Sequence, residues 1–323
     1  MDQTPGGARV PVVDFHIHLD PRGPIAHFET RYARGVPAFT SHPQLGDADA
    51  LLAFLDEVGI DVAVISSGPG MMGNLEQARA VNEALARLCG DRGPRLQFLA
   101  HYAPGHGEAA LREVERWLPH AVGVAMPAAA NGITVDDPVL DPLYALVAEQ
   151  GKFLFIHPSL APTQAEADLC DAYDLYRAVG REFGLVLATA RLICGGVLDR
   201  HPRLKVVMSH LGGGIAAVLP RIRNYQDKAF WGVAGDPIHG RTAREPFEAY
   251  LSRIYFDTGG FFGDPSAVRI ALEHIPPSQI VLGTDYPQEI RAAAPARQLV
   301  AELKRRGLLG NGAELLPSLL PWT

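Results

Sequence analysis

The sequence predicts a closed (β/α)8 TIM barrel. Three observations point there: eight short apolar runs recur along the chain, a helical pattern follows each, and no Pro/Gly/Ser-rich linker divides the 323 residues. The runs are rich in Val, Ile, Leu and Phe, as parallel strands are when helices cover both faces. One barrel domain is therefore expected over residues 1–323, with loop insertions at about 20–46 and 224–250.

VVDFHIHL (12–19) is the first strand run. The long connection 20–46 follows it and is expected to lie over the C-terminal face, where barrels keep their sites. DADALLAFLDEVG (47–59) opens on Asp and closes on Gly, as helix ends prefer. VAVIS (62–66) is the second strand, and NLEQARAVNEALARLCG (74–90) is a helix bounded by Asn and Gly. RLQFLAHY (95–102) with GEAALREVERWL (107–118) makes the third unit, and AVGVAMP (121–127) with LDPLYALVAEQG (140–151) the fourth. KFLFIHP (152–158) precedes helical sequence through 171–200, and LKVVMSH (204–210) precedes LPRIRNYQDKAFWG. Residues 224–250 are too many for a simple turn and are expected to hold extra helix or a subunit contact. RIYFDTGG (253–260) with PSAVRIALEHI (265–275), then QIVLGTDYP (279–287) with APARQLVAELKRRG (294–307), complete the eight.

Composition narrows the function. Hydrophobic residues at 47 % and charged residues at 20 % suit a folded, enzyme-sized core. A formal charge of −7 argues against nucleic acid, whose phosphates call for clustered cations. No apolar run reaches transmembrane length, and MDQTPGGARV lacks a signal-peptide core, so a cytoplasmic protein is expected, with no membrane partner. Cys89, Cys170 and Cys194 are far apart and odd in number, which fits reduced thiols rather than a disulfide framework.

Side chains alternate along a strand, so Asp14, His16 and His18 are expected on the barrel's inner face, with Phe15 and Ile17 turned toward the helices. Buried polar groups without partners are costly. A metal removes the difficulty, with two imidazoles as ligands and Asp14 orienting one of them. Taken alone, the HxH pair fits a hydrogen-bonded core pair equally well. His157, His210 and Asp285 close the fifth, sixth and eighth runs, all at C-terminal strand ends. Imidazoles and a carboxylate converging from separate strands suit a first-row metal. The fourth run ends AVGVAMPAAA, without the Lys, Glu or Asp that a bridged two-metal site needs, and Lys152 starts the fifth run at the opposite end. A mononuclear site is the expectation. His101, ending the third run, either touches substrate or is a hydrogen-bonded core histidine. Asp257, ending the seventh, either points into the site or holds the local turn. A carboxylate substrate calls for a cation, and Arg22, Arg31 and Arg34, with His27 and His42, stand in the first long connection.

DFHIH, FIHP, the segment ATARLICGGVLDRHPRLKVVMSHLGGG (188–214), and RIYFDTGG followed by IVLGTDYP resemble the amidohydrolase superfamily. The branch is that of α-amino-β-carboxymuconate-ε-semialdehyde decarboxylase and the aromatic acid decarboxylases, and the resemblance runs from about residue 10 to 305. It implies one Zn²⁺ per chain, with Mn²⁺ the alternative, held by His16, His18, His157 and Asp285. His210 is implied beside it as acid/base or additional ligand. Arg221, in LPRIR, is implied as a substrate contact in its own or the partner subunit of a homodimer. Residues 20–46 depart from the family pattern, so no other substrate clamp carries over. The implied activity is decarboxylation of a small unsaturated or aromatic carboxylic acid, with Asp285 delivering or relaying the proton and His210 exchanging it. The alternative is a mononuclear metal-dependent hydrolase of a lactone, amide or carbon–carbon bond, served by the same ligands. A barrel that only binds a ligand is disfavoured, because the ligand set is intact.

Overall fold

The eight apolar runs become eight strands: β1 (Val13–His18), β2 (Val62–Ser66), β3 (Leu96–His101), β4 (Gly123–Pro127), β5 (Phe153–His157), β6 (Lys205–Met208), β7 (Ile254–Asp257) and β8 (Ile280–Val281). The computed structural model describes residues 10–20, 31–32, 36–37, 43–160, 163–170, 172–227 and 242–316. Neighbouring strands pair in parallel and in chain order. The segment after β8 then returns alongside β1. Phe15 N donates to Leu282 O (2.8 Å), Asp285 N to His16 O (2.9 Å) and His18 N to Tyr286 O (2.7 Å), which closes the barrel.

Helices α1 (Ala48–Val58), α2 (Leu75–Arg92), α3 (Gly107–Trp117) and α4 (Asp141–Glu149) follow the first four strands. After β5 come α5 (Gln164–Leu169), α6 (Arg181–Cys194) and α7 (Val197–Arg200). Helix α8 (Leu219–Asp227) follows β6, α9 (Pro265–Ala271) follows β7 and α10 (Ala293–Arg305) follows β8. The expected caps act at α1, where Asp47 accepts from Ala50 N at 2.8 Å and Gly59 turns left-handed at φ 82°. Helix α2 starts at its expected cap, Asn74, but passes through Gly90 and stops at Gly93, φ 69°. A glycine weakens a helix without ending it; at Gly93 the positive φ, which glycine tolerates, takes the chain out of the helix.

Two apolar layers share the strands. Residues such as Ile65, Leu154, Ile156 and Val206 pack outward against helices. Val64, Leu99, Phe153, Phe155, Val207 and Val281 fill the inside of the barrel. Strand β1 departs from simple alternation. Its register against β2 shifts between Asp14 and Ile17, a bulge. Phe15 consequently packs inside, 6.0 Å from the Phe153 ring, while Ile17 faces the helices as expected. His16 and His18 still point inward. Asp14 is drawn aside: it accepts from the Thr284 hydroxyl (2.6 Å), Thr284 N (3.1 Å) and His16 N (3.0 Å), and orients no imidazole.

The two long connections are described in part. Within the first, 31–32 and 36–37 form a short antiparallel ribbon and Pro43–Gly46 a 3₁₀ turn. Arg22, His27, Arg34, His42 and the Arg31 side chain lie outside the described residues. The second connection begins in α8 and ends in a 3₁₀ helix, Phe247–Arg253, that leads into β7. Lys152 stays at the N-terminal end of the barrel, donating to Ala121 O at 2.8 Å. The three cysteines are free thiols. Among the described residues no helix is long and apolar enough to cross a membrane.

Candidate metal centre

Each of four histidines is tethered through Nδ1, which aims its Nε2 at a common point. His16 Nδ1 lies 3.0 Å from Asp257 Oδ2, His157 Nδ1 2.9 Å from Pro158 O, and His210 Nδ1 2.9 Å from Glu182 Oε1. His18 Nδ1 lies 3.1 Å from Ser66 Oγ. An ionised carboxylate and a carbonyl only accept, so His16 and His157 carry their proton on Nδ1 and present bare Nε2 lone pairs inward. His18 Nε2 is crowded among them. His18 Nε2 lies 3.1 Å from His16 Nε2, 3.2 Å from His157 Nε2 and 3.0 Å from Asp285 Oδ1. Acceptors this close repel unless a proton or a metal cation lies among them. Metal–ligand bonds of about 2.1 Å place neighbouring ligand atoms about 3.4 Å apart in tetrahedral geometry. The donor set therefore fits a divalent ion: the ligand atoms of His16, His18 and His157 form one close group, and those of His16, His210 and Asp285 another.

His210 reaches the centre by an unusual backbone route. Residues 210–214 all have positive φ, a left-handed turn made of His210 (52°), Leu211 (51°) and three glycines. Gly213 permits it, because a Cβ there would lie 2.0 Å from Glu182 O. Gly260 is fitted against the other side, where a Cβ would meet the His210 ring at 2.4 Å. Asp257 Oδ1 accepts from His210 N (3.2 Å) and Gly259 N (2.8 Å). Asp257 thus serves both alternatives read from the sequence, holding the turn and facing the site. His210 Nε2 has no hydrogen-bond partner and lies 3.5 Å from Asp285 Oδ2.

Electrostatics follow from burial and these pairings. Burial and the adjacent imidazoles hold His157 well below the usual imidazole range, and burial also lowers His18. Burial opposes charging of His210, but Glu182 and Asp285 outweigh it and hold the ring well above its usual value. His16 is raised in the same way, burial being outweighed by Asp257 and Asp285. Burial pushes Asp285 up, yet His16, His18 and His210 together hold it well below the carboxylate range. Asp14 is pushed up to about 7 by burial, against the hydrogen bonds from Thr284.

A cavity of about 390 Å³ opens onto the cluster, with His18, His157, His210 and Asp285 at its base. Its walls are residues the sequence reading passed over: Arg177, Arg181 and Glu182 from the segment after β5, and Gln288, Glu289 and Arg291 from the loop after β8. The carboxyl of Glu289 is pushed up to about 7 by burial and by Asp285. His101 does not line this cavity. Its Nδ1 pairs with Asn82 Oδ1 (3.1 Å) and its Nε2 accepts from Ser67 N (2.9 Å), so it takes the core role of the two considered. Arg221 also lies off the cavity, exposed, with its guanidinium 5.0 Å from the Tyr225 ring.

The family model for amidohydrolases matches residues 13–317. The chain is 26 % identical over 283 residues to a 2-amino-3-carboxymuconate-6-semialdehyde decarboxylase from Dictyostelium discoideum, covering 83 % of this chain and 75 % of that one. The crystal structure of 5-carboxyvanillate decarboxylase from Sphingomonas paucimobilis superposes with a TM-score of 0.75 at 22 % identity, covering 96 % of this chain and 98 % of that one. A dihydroxybenzoic acid decarboxylase from Polaromonas sp. JS666, with bound manganese and the inhibitor 2-nitroresorcinol, superposes at 0.70 and 22 % identity, covering 84 % and 86 %.

Proposed function

The chain belongs to the amidohydrolase family, and from that membership we propose that it is a metal-dependent decarboxylase of a small aromatic or unsaturated carboxylic acid. The observation that carries the reading is the set of inward Nε2 atoms and the Asp285 carboxylate at the base of a cavity of about 390 Å³. A space of that order takes one small ring. The decarboxylases among its relatives supply the reaction class.

In this reading His16, His18, His157 and Asp285 hold a single divalent ion. We assign Zn²⁺ from the nitrogen-rich donor set, with Mn²⁺ the alternative suggested by the Polaromonas enzyme. When bound, the ion supplies a Lewis acid that orients a carboxylate and offsets developing oxyanion charge. The chain's own groups handle the proton. Asp285 Oδ2 relays it to the carbon that loses CO₂, and His210 Nε2, steadied through Nδ1 by Glu182, exchanges it with water. His101 belongs to the scaffold. Arg221 acts from the partner subunit of a homodimer. Residues 1–323 work as one catalytic domain in the cytoplasm, without nucleic-acid or membrane partners.

The test is CO₂ release from a panel of hydroxybenzoates and unsaturated dicarboxylates by the metal-loaded protein, with products identified by mass spectrometry. The expected result is CO₂ equal to acid consumed, and one deuterium at the vacated carbon in D₂O. Turnover of a lactone or ester without CO₂ would replace this reading with the hydrolase alternative. Metal analysis should give one equivalent per chain, and His16→Ala should lose most of it; two equivalents would refute a mononuclear site. Asp285→Asn, compared at equal metal content, should lower kcat by about 10²–10⁴-fold, since the amide keeps the shape but carries no proton. Near-normal rates would remove Asp285 as the proton carrier.

A further inference from the structure

The loop after β8 runs from Asp285 at the base of the cavity to Arg291 at its mouth, and two donors on it are uncommitted. Gln288 Nε2 is shielded from solvent and has no hydrogen-bond partner. Arg291 Nε donates to Pro287 O at 3.0 Å, and no carboxylate among the described residues pairs with its guanidinium. The neighbouring groups are differently placed. Arg177 is taken by Asp174, with Nε 2.7 Å from Oδ1, and the Arg181 guanidinium lies over the Tyr176 ring at 5.6 Å. Glu182 meets His210 through Oε1 and keeps a buried Oε2 without a partner, and Glu289 accepts from Phe262 N at 3.2 Å. The cavity therefore has an acid-binding end at the histidines and, beyond Glu182 and Glu289, donors of Gln288 and Arg291 that no carboxylate among the described residues takes up.

Resting on the decarboxylase reading, we propose that Gln288 and Arg291 determine specificity by binding a second anionic group on the substrate, remote from the carboxylate that leaves. The favoured class is an aromatic or unsaturated dicarboxylic acid. A carboxylate suits these donors because the planar guanidinium fork matches its two oxygens and an amide N–H adds a third bond. A neutral ring substituent would forgo these charge-assisted bonds and leave the exposed Arg291 guanidinium to water.

The experiment is calorimetric binding of isophthalate and benzoate to the metal-loaded protein, wild type and the Arg291→Ala, Arg291→Lys and Gln288→Leu variants. Wild type should favour isophthalate by about tenfold or more. Arg291→Ala should remove most of that margin while changing benzoate affinity by less than about twofold, and Arg291→Lys should retain part of it. Gln288→Leu should reduce the same margin by a smaller factor. Equal affinity for the two acids in wild type, or a loss in Arg291→Ala shared equally by both, would overturn the proposal. Arg291→Lys keeps the comparison alive if the alanine variant folds poorly. The outcome separates from that of the reaction reading. Arg291-dependent preference without CO₂ release from any acid overturns the decarboxylase alone, whereas CO₂ release with preference indifferent to Arg291 overturns this inference alone.

Discussion

Asp257 Oδ2 fixes the Nδ1 proton of His16, and its other oxygen gathers the backbone N–H groups of His210 and Gly259. One side chain thus sets the tautomer of His16 and the position of His210, the ligand and the acid/base of the proposed centre. Asp257→Asn should weaken metal affinity by about 10- to 100-fold, measured by competition with a chromophoric chelator. The amide can turn its NH₂ toward His16, which forces the proton onto Nε2 and spoils the ligand. Unchanged affinity would mean that His16 is oriented by packing alone. The residues that converge on the centre were legible because residue type and strand-end position coincide: His16, His18, His157, His210 and Asp285 are polar where a barrel strand should be apolar. Asp257 was legible only as two alternatives, since a carboxylate after a strand equally suits a turn. Glu182 was hidden. It stands on a helical stretch where exposed acids are ordinary, and its tie to His210 spans 28 residues that no local pattern connects.

At the scale of elements, positive φ at Gly213 (70°) and Gly214 (75°) accompanies two different surroundings. A Cβ on Gly213 would overlap Glu182 O at 2.0 Å, whereas on Gly214 its nearest neighbour would be the Phe261 ring at 3.6 Å. Both alanine variants carry the left-handed penalty of about 1–2 kcal/mol, but only Gly213→Ala adds a backbone collision. Thermal or urea unfolding should therefore show Gly214→Ala mildly destabilised and Gly213→Ala more so. Because Gly213 packs on the stretch that carries Glu182, its variant should also lose activity below the melting transition. Equal losses in the two variants would mean that the turn shifts freely and that its contact with Glu182 does not position His210. The GGG run was visible in the sequence only as the end of the family segment 188–214, and the handedness of its turn was not, because three glycines allow many conformations. The strand pattern had a related limit. Period-two alternation placed His16 and His18 correctly and Phe15 wrongly, since a bulge adds one residue to a strand without leaving a compositional mark.

At the scale of the whole molecule, the barrel closes on itself and its single chain holds the proposed metal donors, yet Arg221 lies off the cavity, stacked on Tyr225. The surface also exposes Val179 (40 %), Phe183 (59 %) and Leu187 (63 %), four residues apart on one helical face. Large apolar groups aligned on one exposed face mark association surfaces more often than isolated ones do. A homodimer gives both features a use: the apolar face is covered, and Arg221 reaches the site of the other copy. If so, a subunit carrying Arg221→Ala and one carrying Asp285→Asn complement each other. The first keeps its metal ligands and receives Arg221 from the second, which restores one working site per mixed dimer. Random exchange makes about half of the dimers mixed, so the pooled activity should recover to about a quarter of wild type while each variant alone stays inactive. Light scattering at micromolar concentration supplies the accompanying mass. A monomer would remove the shared arginine together with the dimer. Verified mixed dimers that remain inactive would confine Arg221 to its own subunit or to a purely structural contact.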